Sequence, residues 1–160
     1  MLREMTMEHR ELVWAALLAA LMVVATPSHA GVQVGVQRCP SMEDIGGKGE
    51  EFTQPLLEAE GEWRAAPLAK GARGRVVSFV NALAIGEGDE VRLQKCVYKL
   101  DVSGELDVLY EPVSKDRAVR LPSGPTSWTQ TSFAGLTVFV CEAAKPERCV
   151  FAPAARPRSD

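Results

Sequence analysis

The sequence predicts a mainly β fold: a small antiparallel sandwich or barrel-like sheet of about seven strands, with at most one short helix and two disulfides. Three observations predict it. Apolar and polar residues alternate with a period of two along several segments, as they do where one face of a sheet is buried and the other is wet. Clusters of Gly, Pro, Ser and Asp separate those segments at intervals of about eight to fifteen residues. Four cysteines, Cys39, Cys96, Cys141 and Cys149, follow an N-terminal stretch laid out as an export signal, so two disulfides are their default state.

Residues 1–30 carry that signal. Arg3 and Arg10 precede the apolar run Val13 to Ala25, then come Thr26-Pro27-Ser28-His29-Ala30 and a change of composition at Gly31. This is the n, h and c layout of a secretory signal peptide. Small side chains at Ser28 and Ala30 suit signal peptidase, and Pro27 stops the h-region helix short of the site. Cleavage is expected between Ala30 and Gly31. Glu4, Glu8 and Glu11 offset the basic charge and point to Met5 or Met7 as alternative starts. An uncleaved anchor is the competing reading, but an apolar run of thirteen residues falls short of the ~20 that span a bilayer. Residues 31–151 then form one exported domain, periplasmic or secreted, and 152–160 a disordered tail with two prolines, two arginines and little to bury.

Along the exported part, Ser41 is placed to cap one helical turn, with Glu43 and Asp44 in that turn and Gly46-Gly47 ending it. In residues 56–65, Leu57, Ala59, Gly61, Trp63 and Ala65 alternate with Glu58, Glu60, Glu62 and Arg64, which predicts a half-buried strand. Pro67 to Gly74 is a connection, in which Lys70 and Arg73, with Arg75 beside them, form a solvated basic loop. Arg75 to Ile85 is apolar on both faces and rich in β-branched residues, which predicts a central strand.

Residues 91–111 form a hairpin around Ser103-Gly104, with Cys96, Tyr98 and Leu100 on one face and Leu106, Val108 and Tyr110 alternating with Asp107, Leu109 and Glu111. Tyr98 and Tyr110 are expected to pack as a cross-strand pair. Ala118 to Leu121 is a short strand stopped by Pro122-Ser123-Gly124-Pro125, and Leu136 to Cys141 with Arg148 to Phe151 a last hairpin. Of three connectivities, Cys39 with Cys96 and Cys141 with Cys149 is favoured, the second because it would lock that hairpin.

Function is narrowed chiefly by exclusion. Both histidines, His9 and His29, precede the cut, so the mature chain has none. That excludes Ser-His-Asp, Cys-His and His-ligated metal mechanisms. Sixteen Lys and Arg remain against eighteen Asp and Glu, net −2, which disfavours nucleic acid. No cysteine pair has zinc-knuckle or C-x-x-C spacing, and no cofactor is expected. The acids Asp101, Glu105 and Asp107, and Glu87, Asp89 and Glu90, cluster at turns. A carboxylate-based glycan hydrolase would need two of them facing across a cleft. Trp128 lies in a Ser, Thr, Gly and Pro stretch, so Trp128, Ser123 and Pro125 are candidate contact residues in an exposed loop from Leu121 to Ser132. Folding back as a core plug is the equal alternative for Trp128.

Cys39-Pro40 followed by Ser and Ile, Gly61-Glu62-Trp63, Cys96-Val97-Tyr98, the late Trp128 and Cys141-x7-Cys149-Val150-Phe151 together resemble a group of small exported proteins of Gram-negative bacteria. That group is known mainly as a domain of unknown function. The resemblance spans most of residues 38–151, while the Ala-rich connection and tail have no counterpart in it. Some similar members are associated with type IV secretion systems and intracellular replication. It implies a periplasmic β-rich fold with two disulfides and carries over no catalytic residue. The expectation is a non-enzymatic periplasmic accessory protein with a protein partner, an envelope or secretion-system component, and no stable membrane span in the mature form. An inhibitor or immunity protein acting on a hydrolase is the alternative, ahead of the glycan hydrolase.

Mass spectrometry of the periplasmic protein should find an N-terminus at Gly31; an intact N-terminus would refute export by cleavage.

Overall fold

The computed structural model describes residues 35–57, 59–123 and 127–154. The signal peptide with its Ala30/Gly31 cleavage site lies outside them, as do Pro125 and the tail from residue 155. Ten strands form one antiparallel sheet: β1 Gln37–Arg38, β2 Thr53–Pro55, β3 Gly61–Ala65, β4 Val76–Glu87, β5 Glu90–Leu100, β6 Glu105–Pro112, β7 Ala118–Arg120, β8 Trp128–Phe133, β9 Leu136–Cys141 and β10 Val150–Pro153. The mainly β expectation holds. The strands beyond the expected seven are the short β1 and β2 and the edge strand β8.

One α-helical turn, α1 Met42–Ile45, forms where Ser41 was expected to cap it. The Ser41 side chain accepts from the Asp44 amide, and the Asp44 carboxylate accepts from the Ser41 amide, a closed capping box. The chain leaves the turn at Gly46, and Ile45 is buried beneath it.

β5 organises the sheet. On one edge it pairs with β4 along nearly its whole length. On the other, its C-terminal half pairs with β6, while Val91 and Arg92 pair with β7. Two arms therefore leave the same edge, β6–β3–β2 and β7–β10–β1, and a third, β9–β8, continues from β4. The β4–β5 ladder slips register three times, at Val77 and Val80 of β4 and at Gln94 of β5. Each slip is a bulge that bends the strand and tightens its twist.

These bulges also explain why the sequence of β4 shows no clean alternation. Phe79, half-buried, packs edge-on against Tyr98 with ring centroids 5.4 Å apart, and three residues later Ala82 is fully buried. A regular strand would send residues 79 and 82 to opposite faces; the bulge between Phe79 and Asn81 returns both to the core.

The pairings place six inward residues in one row across six strands: Ala65, Val108, Cys96, Ala82, Cys141 and Trp128. The five residues from Ala65 to Cys141 are buried. Cys96 is bonded to Cys39 and Cys141 to Cys149, with Cα separations of 6.0 and 5.8 Å. Both expected disulfides are thus present, anchored on either side of Ala82. Trp63, Tyr110 and Phe151 fill the neighbouring interior with centroids 5.4 to 6.1 Å apart.

Four expectations are corrected. Tyr98 does not face Tyr110: the turn between β5 and β6 sets Tyr98 opposite Leu106, so Tyr110 lies further along β6, opposite Trp63. β9 and β10 are not a hairpin. β9 pairs with β8 and β4, and β10 with β7 and β1, so the Cys141–Cys149 bond ties two arms together instead of locking adjacent strands. The 56–65 strand is only Gly61–Ala65, because the chain turns back after β2; Leu56 is buried and Leu57 exposed. Gly61 is required at that return, since a Cβ there would lie 2.5 Å from the Glu111 carbonyl. Finally, β10 continues past residue 151, with Ala152 and Pro153 paired to β7 and Ala154 donating to Ala118.

Tyr98 closes the core below α1, its hydroxyl donating to the Pro40 carbonyl at 2.7 Å. Burial, ahead of the nearby Glu147 and Asp44 carboxylates, pushes its phenol far above the ordinary value. Burial likewise raises Tyr110.

Two outcomes follow from this packing. Ala82→Leu forces a larger side chain between the two disulfides and should cost about 1–3 kcal/mol in urea unfolding; an unchanged midpoint would mean the row is loosely packed. Because the unfolded chain ionises its tyrosines near pH 10 while Tyr98 stays neutral when folded, the contribution of Tyr98 to stability should be level below about pH 10, and stability should fall above it. Tyr98→Phe should make that alkaline fall shallower, whereas an identical slope would contradict the assignment.

Candidate functional site

The core is occupied by its own aromatic side chains, Trp63, Tyr98, Tyr110 and Phe151, so the sites to weigh lie on the surface. The acids that could support hydrolysis are on turns and outer strand positions. Asp101 accepts from the Arg75 amide at 2.9 Å, and Asp107 pairs with Lys95 at 2.6 Å. Glu87 and Glu90 both meet Arg92, at 3.0 and 3.1 Å. Glu105 lies opposite Lys99 in the strand register, and Asp89 sits in the turn between β4 and β5. Four of these six carboxylates thus lie against a cation or a backbone amide, not across a cleft from one another.

A further charged group lies on β3 and β6, where Arg64 joins Glu62 and Glu111, and Arg117 reaches Glu111 at 3.8 Å. These side chains, with Lys115, Pro112 and Val113, line an open groove of about 730 Å³. Being half-exposed and of mixed sign, the pairs contribute little to stability. Asp44 moves the wrong way for a general acid, because the Ser41 hydroxyl donating to it holds its carboxyl below the usual range. Among the described residues, no group of three or more His, Cys, Asp or Glu could hold a metal ion, and no helix is long and apolar enough to cross a membrane.

Of the candidate contact residues, Trp128 lies at the β8 end of the sheet, while Pro125 lies outside the described residues. Trp128 opens β8, opposite Cys141. It is half-buried, and its indole N–H donates to the Val150 carbonyl at 2.9 Å, so the ring bridges from β8 to β10. Trp128 thus anchors the segment through a bond to another arm and through packing against the core. Ser123 is exposed just beyond β7. Thr129 to Ser132, expected as loop, are strand residues in an unbroken six-pair register with β9. Ala134 and Gly135, both in the left-handed region at φ 50° and 82°, make the two-residue turn, a geometry that matches the twist of a hairpin.

Sequence reasoning passed over the outer face of this hairpin. Since Cys141 and Trp128 face inward, Thr129 with Val140, Thr131 with Val138 and Phe133 with Leu136 face outward. Leu83 and Ile85 of β4 continue the same face beside Val140 and Val138. Those four aliphatics are half-buried, while Phe133 and Leu136 at the tip are 73% and 49% exposed. The signal was present in the sequence. From Leu121 to Cys141, twenty-one residues pass without a charged side chain, the longest such run after residue 37.

A family profile described as a protein of unknown function, DUF3757, matches residues 34–152. No curated protein and no solved structure matches the chain. The match covers the whole sheet from β1 to the middle of β10, and the chain belongs to this family.

Proposed function

We propose that this is a non-enzymatic accessory protein of the bacterial envelope that acts by binding another protein. The observation that carries this reading is the uncharged run from Leu121 to Cys141, of which Thr129 to Leu136 lie exposed on a sheet whose interior is already filled. Exposed apolar side chains ringed by polar ones are the usual mark of a protein contact. The acids, paired with cations, are poorly placed for catalysis. Periplasmic location rests on the signal peptide layout and on four cysteines all engaged in disulfides. A place within a type IV secretion apparatus rests on the sequence resemblance.

The partner-facing segment in this reading is the stretch after β7, around Pro122 and Ser123, with Trp128 as its fixed base. A base tied to Val150 would lower the entropy lost when the loop meets its partner. Trp128→Ala would remove that tie along with any contact, so Ser123→Arg is the cleaner probe: it sets a charge on an exposed position and leaves the core untouched.

Capture of the exported protein from its native envelope fraction, followed by reconstitution with the purified candidate, tests this directly. One or a few envelope proteins should bind, at least tenfold more weakly to Ser123→Arg, with both forms melting at the same temperature. If a single hydrolase is recovered and its activity falls on binding, the protein is an inhibitor; if nothing binds, the accessory reading is wrong.

A further inference from the structure

We propose that two copies of this chain pair through β8, antiparallel and about a two-fold axis at Thr131, so that two sheets become one. This goes beyond the partner-binding reading and does not depend on it.

β8 ends the path of hydrogen-bonded strands, with β9 as its one strand neighbour. Among the described residues, the outer backbone edge of Thr129 to Phe133 meets no other strand. Free edges are templates for further strands, and folded proteins blunt them with charge, proline, bulges or brevity. The other two sheet ends are blunted. β1 is two residues long, and β2 is three residues ending in Pro55. β8 has six residues, Trp-Thr-Gln-Thr-Ser-Phe, with no charge, no proline and no slip in its register against β9. An edge this long and regular is accounted for if something covers it.

The composition of the edge points to its own copy as the cover. Strands related by a two-fold axis normal to the sheet keep their faces, so residues of like parity must meet. An axis at Thr131 brings Thr131 against Thr131 and Thr129 against Phe133 on the outer face, with Gln130 against Ser132 on the inner face. Every meeting is between neutral side chains, and hydroxyl pairs and a Thr–aromatic pair are favourable cross-strand neighbours. Trp128, already committed to Val150, falls outside the paired stretch. The outward aliphatics Leu83, Ile85, Val138 and Val140 of the two copies then flank the seam in one continuous face. A strand lacking charge has nothing with which to select a charged foreign segment, whereas it matches its own reversed copy.

Sedimentation velocity of the exported chain, disulfides intact, from about 1 to 100 µM should show a reversible monomer–dimer equilibrium. Thr131 is exposed, so Thr131→Lys and Thr131→Glu should each fold normally, yet each places like charges together on the axis and should weaken dimerisation at least tenfold. An equimolar mixture of the two should dimerise again, because the Lys and Glu then face each other across the seam. A wild-type chain that stays monomeric at 100 µM, or a dimer that Thr131→Lys does not weaken, overturns the proposal. If the wild type is monomeric while Thr131→Lys abolishes capture of an envelope partner, the edge serves a foreign strand instead, and the second copy is excluded.

Discussion

Two disulfides set on either side of one alanine constrain the rest of this molecule. Cys96 and Cys141 flank Ala82 in adjacent strands, and each turns inward to a distant partner, Cys39 near the start of the domain and Cys149 near its end. The bonds therefore join the centre of the sheet to the two segments that would otherwise be its loose ends. By loop-closure entropy the 57-residue link is worth about 4 kcal/mol and the 8-residue link about 2.5 kcal/mol. Ala82 is fully buried between the two cysteine positions, which leaves little room for a larger side chain. Trp128 completes the same row and extends the closure by bonding to Val150.

The proposed function follows from what this closure uses up. A sheet bent by the bulges of β4 and drawn in by two covalent ties packs its own aromatics at the centre, which leaves binding to the outside. The charged outer positions largely neutralise one another. The hairpin β8–β9 has no charge to neutralise, and it is tied at one end to the β10 arm through the Cys141–Cys149 bond and the Trp128–Val150 hydrogen bond. A rigid, neutral, partly apolar edge suits a contact made by strand addition and apolar burial, and is a poor match for nucleic acid or a charged small ligand.

Much of this was legible in the residues. The cap at Ser41 and the hairpin carrying Cys96 and Tyr110 are local features, written in short-range pattern; both disulfide pairings were also as expected, although the hairpin that favoured Cys141 with Cys149 does not form. What was missed depends on long-range pairing. β8 looked like loop because Ser and Thr serve in turns as readily as in strands, and only its pairing with β9 settles the matter. β10 seemed the partner of β9 because the two are close in sequence, yet the Cys141–Cys149 link spans between arms. The Tyr98–Tyr110 pair failed because the turn sets the register, which composition does not reveal. The charge-free run through the candidate site was readable from the start, and its meaning emerged once the sheet placed it at an exposed end.

The most direct test of this account is amide hydrogen exchange on the dilute, oxidised protein, resolved across residues 76–141. Residues 82–86 and 95–98, which carry the disulfide row and are paired on both sides, should be the slowest to exchange. About half the amides of 129–133 should exchange at least a hundredfold faster, because one edge of β8 faces solvent. Uniformly slow exchange through 129–133 at the dilution limit would mean that β8 is already covered within a single chain, and would contradict the claim that the closed sheet leaves this edge open.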